Sequence, residues 1–212
     1  MKPNAISHLD DVVRREPSLQ PLHEDLTRLT EALVHVFRAG GTLFVCGNGG
    51  SAADADHIVA ELQKSFVLHR RIPEATRVAL HAAGLPQPLA DHLQQGLRAL
   101  SLCGSIALAT AVLNDNDPGL VFAQPLIALA RPGDAVLGLT TSGRSVNVLN
   151  ALRVGRALGL GVLGFTGPHR AEIDDVADLV LHAPGGTTHE IQERHRPLYH
   201  AICLALEQEF FG

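Results

Sequence analysis

Apolar and polar positions along the chain fall into two rhythms. Polar residues dominate 1–17, and Pro17 and Pro21 separate two helical stretches. The second, over 22–38, repeats apolar residues at helical spacing and runs into Gly40-Gly41, a natural C-terminal stop. Beyond it the rhythm changes. "TLFVCG", "SIALAT" (105–110), the start of "DAVLGLTTSGRS", "GVLGFTG" and "ADLVLHAP" are short, continuous apolar runs that predict strands. Helical patterns begin near Ser51 and near Ser145. Continuous apolar strands alternating with helices predict a parallel sheet covered on both faces. Ligands in such sheets sit at the carboxyl ends of the strands. The segment 67–104 fits the alternation poorly. "LPQPLADHLQQGLRALSLCG" reads as an added helix between Pro88 and Gly104, serving packing or an interface.

Composition narrows the field. The 212 residues, 46% hydrophobic and 18% charged, suit one α/β domain, with N-terminal helices over 1–40 and a helical insertion at about 67–104. The net charge is −5 and the Lys and Arg residues are dispersed, which argues against a nucleic-acid surface; so does the 4% aromatic content. Cys46, Cys103 and Cys203 have no CxxC spacing, so neither a disulfide framework nor a cysteine metal site is expected. The start of the chain is polar, and no run is long enough to span a membrane. A cytoplasmic protein without membrane partners is the expectation.

Two predicted strand-to-helix loops carry candidate chemistry. In "CGNGGS", Gly47, Gly49 and Gly50 let a ligand approach the backbone, and Ser51 stands where it could cap the next helix. A tight turn and an anion cradle are both open readings of this loop. In "TTSGRS", Thr140, Thr141, Ser142 and Ser145 set four hydroxyls around one glycine, where a helix cap needs only one; this favours phosphate. Arg144 adds charge there or points to solvent. His57 and Glu61 share a helix face four residues apart, beside Ile58, Val59 and Leu62, and form a candidate acid–base or metal pair. Finally, "THEIQERHRPLYHAICLAL" opens a greasy helix with His189, Glu190, Gln192, Glu193, His195 and His200, more imidazole and carboxylate than a core helix needs.

Taken together, "CGNGGS" with H-x3-E, then Asn114-Asp115, "TTSGRS" and "IQERHRPLYH" resemble the sugar isomerase (SIS) family and, within it, the phosphoheptose isomerases. The resemblance runs from about Leu22 to the C-terminus, except over 67–104. It implies a three-layer α/β sandwich, flavodoxin-like, with a central, mostly parallel five-stranded sheet. It also implies one zinc ion per subunit on His57, Glu61, Gln192 and His200. Substrate contacts fall to Asn48, Gly49, Gly50, Ser51, Glu61, Asn114, Asp115, Gln192 and the four loop hydroxyls. His189 stands where the family usually has an acidic residue, Thr140 replaces a usual serine and Arg144 a usual asparagine. Glu193 and His195 receive no role and are expected at solvent or an interface. Pro197, between Gln192 and His200, predicts a kink or a late helix start.

The activity so implied is ketose–aldose isomerisation of sedoheptulose 7-phosphate to D-glycero-D-manno-heptose 7-phosphate, the first step toward nucleotide-activated heptose. Glu61 is the candidate base and His200 the candidate acid. A homotetramer with sites between subunits is also implied, and the apolar stretch 22–38 independently suggests a partner-facing surface. Two alternatives stay open: a non-catalytic SIS binding module, either associating with a replication initiator or sensing phosphosugars, and an isomerase of another phosphosugar.

Overall fold

The computed structural model describes residues 1–212. Helix α1 (Pro3–Arg15), a 3-10 turn at Pro17–Leu22 and α2 (His23–Arg38) precede the sheet. The sheet alternation follows: β1 (Leu43–Gly47), α3 (Gly50–Gln63), α4 (Glu74–Ala82), α5 (Gln87–His92), β2 (Ala99–Ser101), α6 (Ile106–Asp115), α7 (Ala123–Leu129), β3 (Ala135–Leu139), α8 (Val146–Ala157), β4 (Gly161–Thr166), β5 (Leu179–His182) and α9 (Thr188–Phe211). All strand pairs are parallel, in the order β2-β1-β3-β4-β5.

Strand alternation builds two cores, since successive side chains point to opposite faces. Leu43 and Val45 of β1, Leu137 and Leu139 of β3, and Leu163 and Phe165 of β4 meet α1, α2, α3 and α9 in the larger core. Phe44, Cys46, Val136 and Val162 meet α7 and α8 in the smaller one. The N-terminal helices are part of the fold proper. Leu26, Leu29, Leu33 and Val34 of α2 are buried within the chain's own core, so that helix offers no free apolar face to a partner, contrary to the expectation from sequence.

Two elements lie elsewhere than the apolar runs predict. Residues 105–110 are helical, not extended: Ser105 accepts the Leu108 N–H at 3.3 Å and caps α6. The strand lies just upstream, at Ala99–Ser101, inside the stretch expected to be a helix, of which only Gln87–His92 is helical. Three residues on a sheet edge are too few to show a period. No helix is long and apolar enough to cross a membrane.

Candidate active site

The carboxyl ends of β1 and β3 deliver the two loops side by side. After β1, the chain turns into α3 at Gly49, and Ser51 is buried in the first turn instead of capping it. Asn48 and Asn147 join the loops through two reciprocal amide bonds of 2.9 Å each. Asn147 carries no recognisable sequence signal, and only the packing of the two loops shows its part. Gly50 lets the Gln192 amide lie over the loop: a Cβ there would fall 2.8 Å from that amide, and the Gln192 side chain would have to move aside.

The second loop gathers its hydroxyls. Thr140 Oγ1 lies 2.9 Å from Ser145 Oγ and 3.4 Å from Ser142 Oγ, and the Arg144 N–H donates to Ser142 Oγ at 3.2 Å. Ser145 is the N-cap residue of α8 by position but makes no side-chain cap bond. Gly143, at φ +66°, turns the loop where a side chain would strike Ala171. Thr141 is half-buried, and its carbonyl accepts the Gly167 N–H at 3.1 Å. Arg144 is exposed.

Behind these loops, α3 and α9 bring together the predicted acid–base residues. His57 Nε2 lies 3.1 Å from Glu61 Oε1, and the His57 and His200 rings meet edge to face at 5.0 Å. Glu61 Oε2 and His200 Nε2 are buried without a hydrogen-bond partner. Burial above all, then the neighbouring His57, holds the His200 imidazole below its ordinary pKa and so neutral near neutral pH. Phe66 leans on the same ring at 5.5 Å. Tyr199 bonds both His57 Nδ1 and Asp54 Oδ1 at 3.1 Å; burial, with Asp54 beside it, keeps its phenol protonated. Neither Asp54 nor Tyr199 stands out in the sequence.

The donor set suits a divalent ion: two imidazoles and a carboxylate, two of their atoms unpaired and desolvated. The side chains are neighbours without being drawn into a common coordination sphere, since no three His, Cys, Asp or Glu side chains form a metal-holding group. Gln192 lies two turns nearer the start of α9, against Gly50.

Other residues of the C-terminal stretch have plainer duties. Helix α9 runs unbroken from Thr188 past Pro197, so the late start expected from the proline does not occur. Glu190 accepts the Gly186 and Thr187 N–H groups at 2.8 and 3.0 Å and closes the helix start. His189 and Glu193 are exposed. His195, expected at solvent or an interface, is fully buried and its Nε2 faces the Thr166 carbonyl at 3.1 Å. Asn114 and Asp115 end the exposed helix α6 and bond each other at 2.7 Å. The turn that follows is tied to α8 by Asn150 donating to Gly119 O at 3.1 Å.

A hydroxyl-lined loop at the switch of a parallel sheet, with an imidazole–carboxylate pair on the flanking helices α3 and α9, is the arrangement of a SIS-domain protein, and the SIS domain family matches residues 12–99. The phosphoheptose isomerase of Roseiflexus sp. (strain RS-1) is 37% identical over 202 residues, 95% of this chain and 89% of that one. That of Mycobacterium bovis (strain BCG / Pasteur 1173P2) is 37% identical over 191 residues, 90% and 85% of the two chains. Among solved structures, the phosphoheptose isomerase of Neisseria gonorrhoeae superposes with a TM-score of 0.74 at 28% identity, covering 95% and 96%. The one from Francisella tularensis gives 0.76 at 26%, covering 95% of each chain. The chain belongs to the phosphoheptose isomerase family and is an enzyme, a phosphosugar isomerase.

Proposed function

We propose that the chain converts sedoheptulose 7-phosphate to D-glycero-D-manno-heptose 7-phosphate, as the names of its relatives suggest. The observation that carries the reading is the buried, unpartnered pair Glu61 Oε2 and His200 Nε2 on α3 and α9, two helices whose first turns meet at Gly50 and Gln192, where Asn48 and Asn147 tie the two loops together. A desolvated polar atom without a partner costs stability and is retained where chemistry uses it. The Thr140, Thr141, Ser142 and Ser145 loop holds the phosphate, and Asn48, Gly49, Gly50 and Gln192 line the path of the sugar chain. Anchored this way, C1 and C2 meet Glu61 and His200. Glu61 takes the proton from C1. His200 gives a proton to the C2 carbonyl oxygen as the enediol forms; the proton on Glu61 then goes to C2 while the O1 hydroxyl returns its proton to His200, leaving the C1 aldehyde. His57, Glu61, Gln192 and His200 would hold zinc, which when bound supplies Lewis-acid stabilisation of the developing oxyanion. Assembly into a homotetramer belongs to the same reading. Exposed Ile106 and Leu113 on α6 favour it, and Asn114 and Asp115 end that same helix.

Wild-type protein supplied with zinc should isomerise the seven-carbon ketose phosphate and hold about one divalent ion per chain. Glu61→Gln should lose about 10²–10⁴-fold in turnover while remaining folded. Full activity in Glu61→Gln would refute the base assignment. A wild type that turns over no seven-carbon ketose phosphate would refute the substrate.

A further inference from the structure

Between α3 and α9 a line of polar groups runs from the interior, at Asp54 and Tyr199, out to the half-exposed His57, and the acid–base pair does not itself use it. Asp54 is 7% exposed and Tyr199 1%. The Tyr199 hydroxyl donates to Asp54 Oδ1 at 3.1 Å. A phenol carries one proton, so with that proton committed its oxygen can only accept. Its ring partner, His57 Nδ1 at 3.1 Å, is therefore a donor to it, as the Arg196 guanidinium nearby also is. A neutral imidazole with hydrogen on Nδ1 keeps its lone pair on Nε2. That Nε2 faces Glu61 Oε1 at 3.1 Å. A lone pair and a carboxylate oxygen at this separation repel unless a proton or a cation stands between them.

We propose that Asp54 and Tyr199 are positioning residues that fix the tautomer and ring plane of His57, so that its bare Nε2 and the Glu61 carboxylate stand ready as paired donors to a divalent cation. The inference rests on reading His57 and Glu61 as cation ligands. Its physical basis is general: a ligating imidazole is oriented by the hydrogen bond its other nitrogen makes. Here that bond runs through a buried phenol to a buried carboxylate, a two-step relay whose outer member never touches the ring.

The test uses the full chain, stripped with chelator, with Tyr199→Phe and, as a second variant, Asp54→Ala. Long-range ¹H–¹⁵N spectra of the metal-free wild type should show His57 protonated on Nδ1. In Tyr199→Phe this preference should be lost. Zinc affinity, measured by competition with a chromophoric chelator, should fall about 10–100-fold in both variants while far-ultraviolet circular dichroism is unchanged. His57 protonated on Nε2 in the wild type, or unchanged tautomer and affinity in whichever variant folds, would overturn the proposal. A wild type with the Nδ1–H tautomer but no zinc affinity would overturn the cation reading on which the inference rests, and would leave the orienting role of Tyr199 supported.

Discussion

Ser145 begins α8, yet its hydroxyl is turned to Thr140 instead of to an N–H of its own helix. A serine used only as a cap would do the reverse. The first turn of α8 is thus left uncapped by Ser145 beside a cluster of hydroxyls, an arrangement suited to an anion. Ser145→Ala should therefore change stability little. It should weaken phosphosugar binding by about 1.5–3 kcal/mol, the range for a hydrogen bond to a charged group, or roughly ten- to a hundredfold. Calorimetric titration with the phosphorylated and unphosphorylated ketose checks this: only the phosphorylated one should weaken, and equal weakening of both would remove the assignment. At this scale the hydroxyl cluster was legible in "TTSGRS". The role of Asn147 was not, because its partner Asn48 lies 99 positions away and only strand order brings the two together.

Helix α9 is where local and tertiary forces disagree. Pro197 in a helix interior costs about 3 kcal/mol, which is why a kink or a late start was expected. Burial of Ile191, Leu198, Ile202, Leu206 and their neighbours against the larger core outweighs that penalty and carries the helix through. The same helix anchors the strap after α3. Glu207 accepts the N–H groups of Phe66, Val67 and Leu68 at 2.8 to 3.0 Å and Arg70 Nε at 2.7 Å. Arg70 in turn donates to the Leu62 and Glu61 carbonyls at 2.8 and 2.9 Å. Glu207→Ala strands a fully buried guanidinium and should cost about 3–5 kcal/mol in urea unfolding; a loss near zero would show that the strap is held by packing instead. Burial pushes the Glu207 carboxyl up, but the three backbone N–H groups and Arg70 outweigh it and leave the pKa below its ordinary value. A carboxyl depressed in the fold contributes stability above its unfolded pKa, about 4.3, and that contribution is lost as pH falls through the folded value. The acid limb of the stability–pH curve should therefore be shallower in the variant.

For the whole molecule, the two faces of the sheet are unequally covered. The larger core is closed by α1, α2, α3 and α9, whereas α6 on the other side buries only Val112 and leaves Ile106 79% and Leu113 50% exposed. Exposed Ile127 and Leu129 of α7 and Leu100 of the edge strand β2 add to this apolar surface. Leu100, Leu108 and Leu129 line one groove between β2, α6 and α7, and exposed apolar surface of this kind marks an association face. Light scattering should find an oligomer for the wild type, and Ile106→Asp should shift it toward smaller species without unfolding the chain. A monomeric wild type at working concentration would refute the association.

The sequence by itself determined the strand–helix alternation, the parallel sheet and the two ligand-facing loops. It also marked the His57/Glu61 pair, because continuous apolar runs, helical spacing and glycine-rich turns are local properties. It could not locate β2, since Ala99–Ser101 is too short for a period and the apolar run after it is capped into a helix by Ser105. It could not show that α2 is spent on the chain's own core while α6 is left bare, because both are apolar helices and only packing chooses which is covered. Nor could it join Asp54, Tyr199 and His57. Asp54 and Tyr199 are 145 positions apart, and the tertiary structure alone lays α3 against α9, so that a buried carboxylate and phenol meet the half-exposed His57 imidazole.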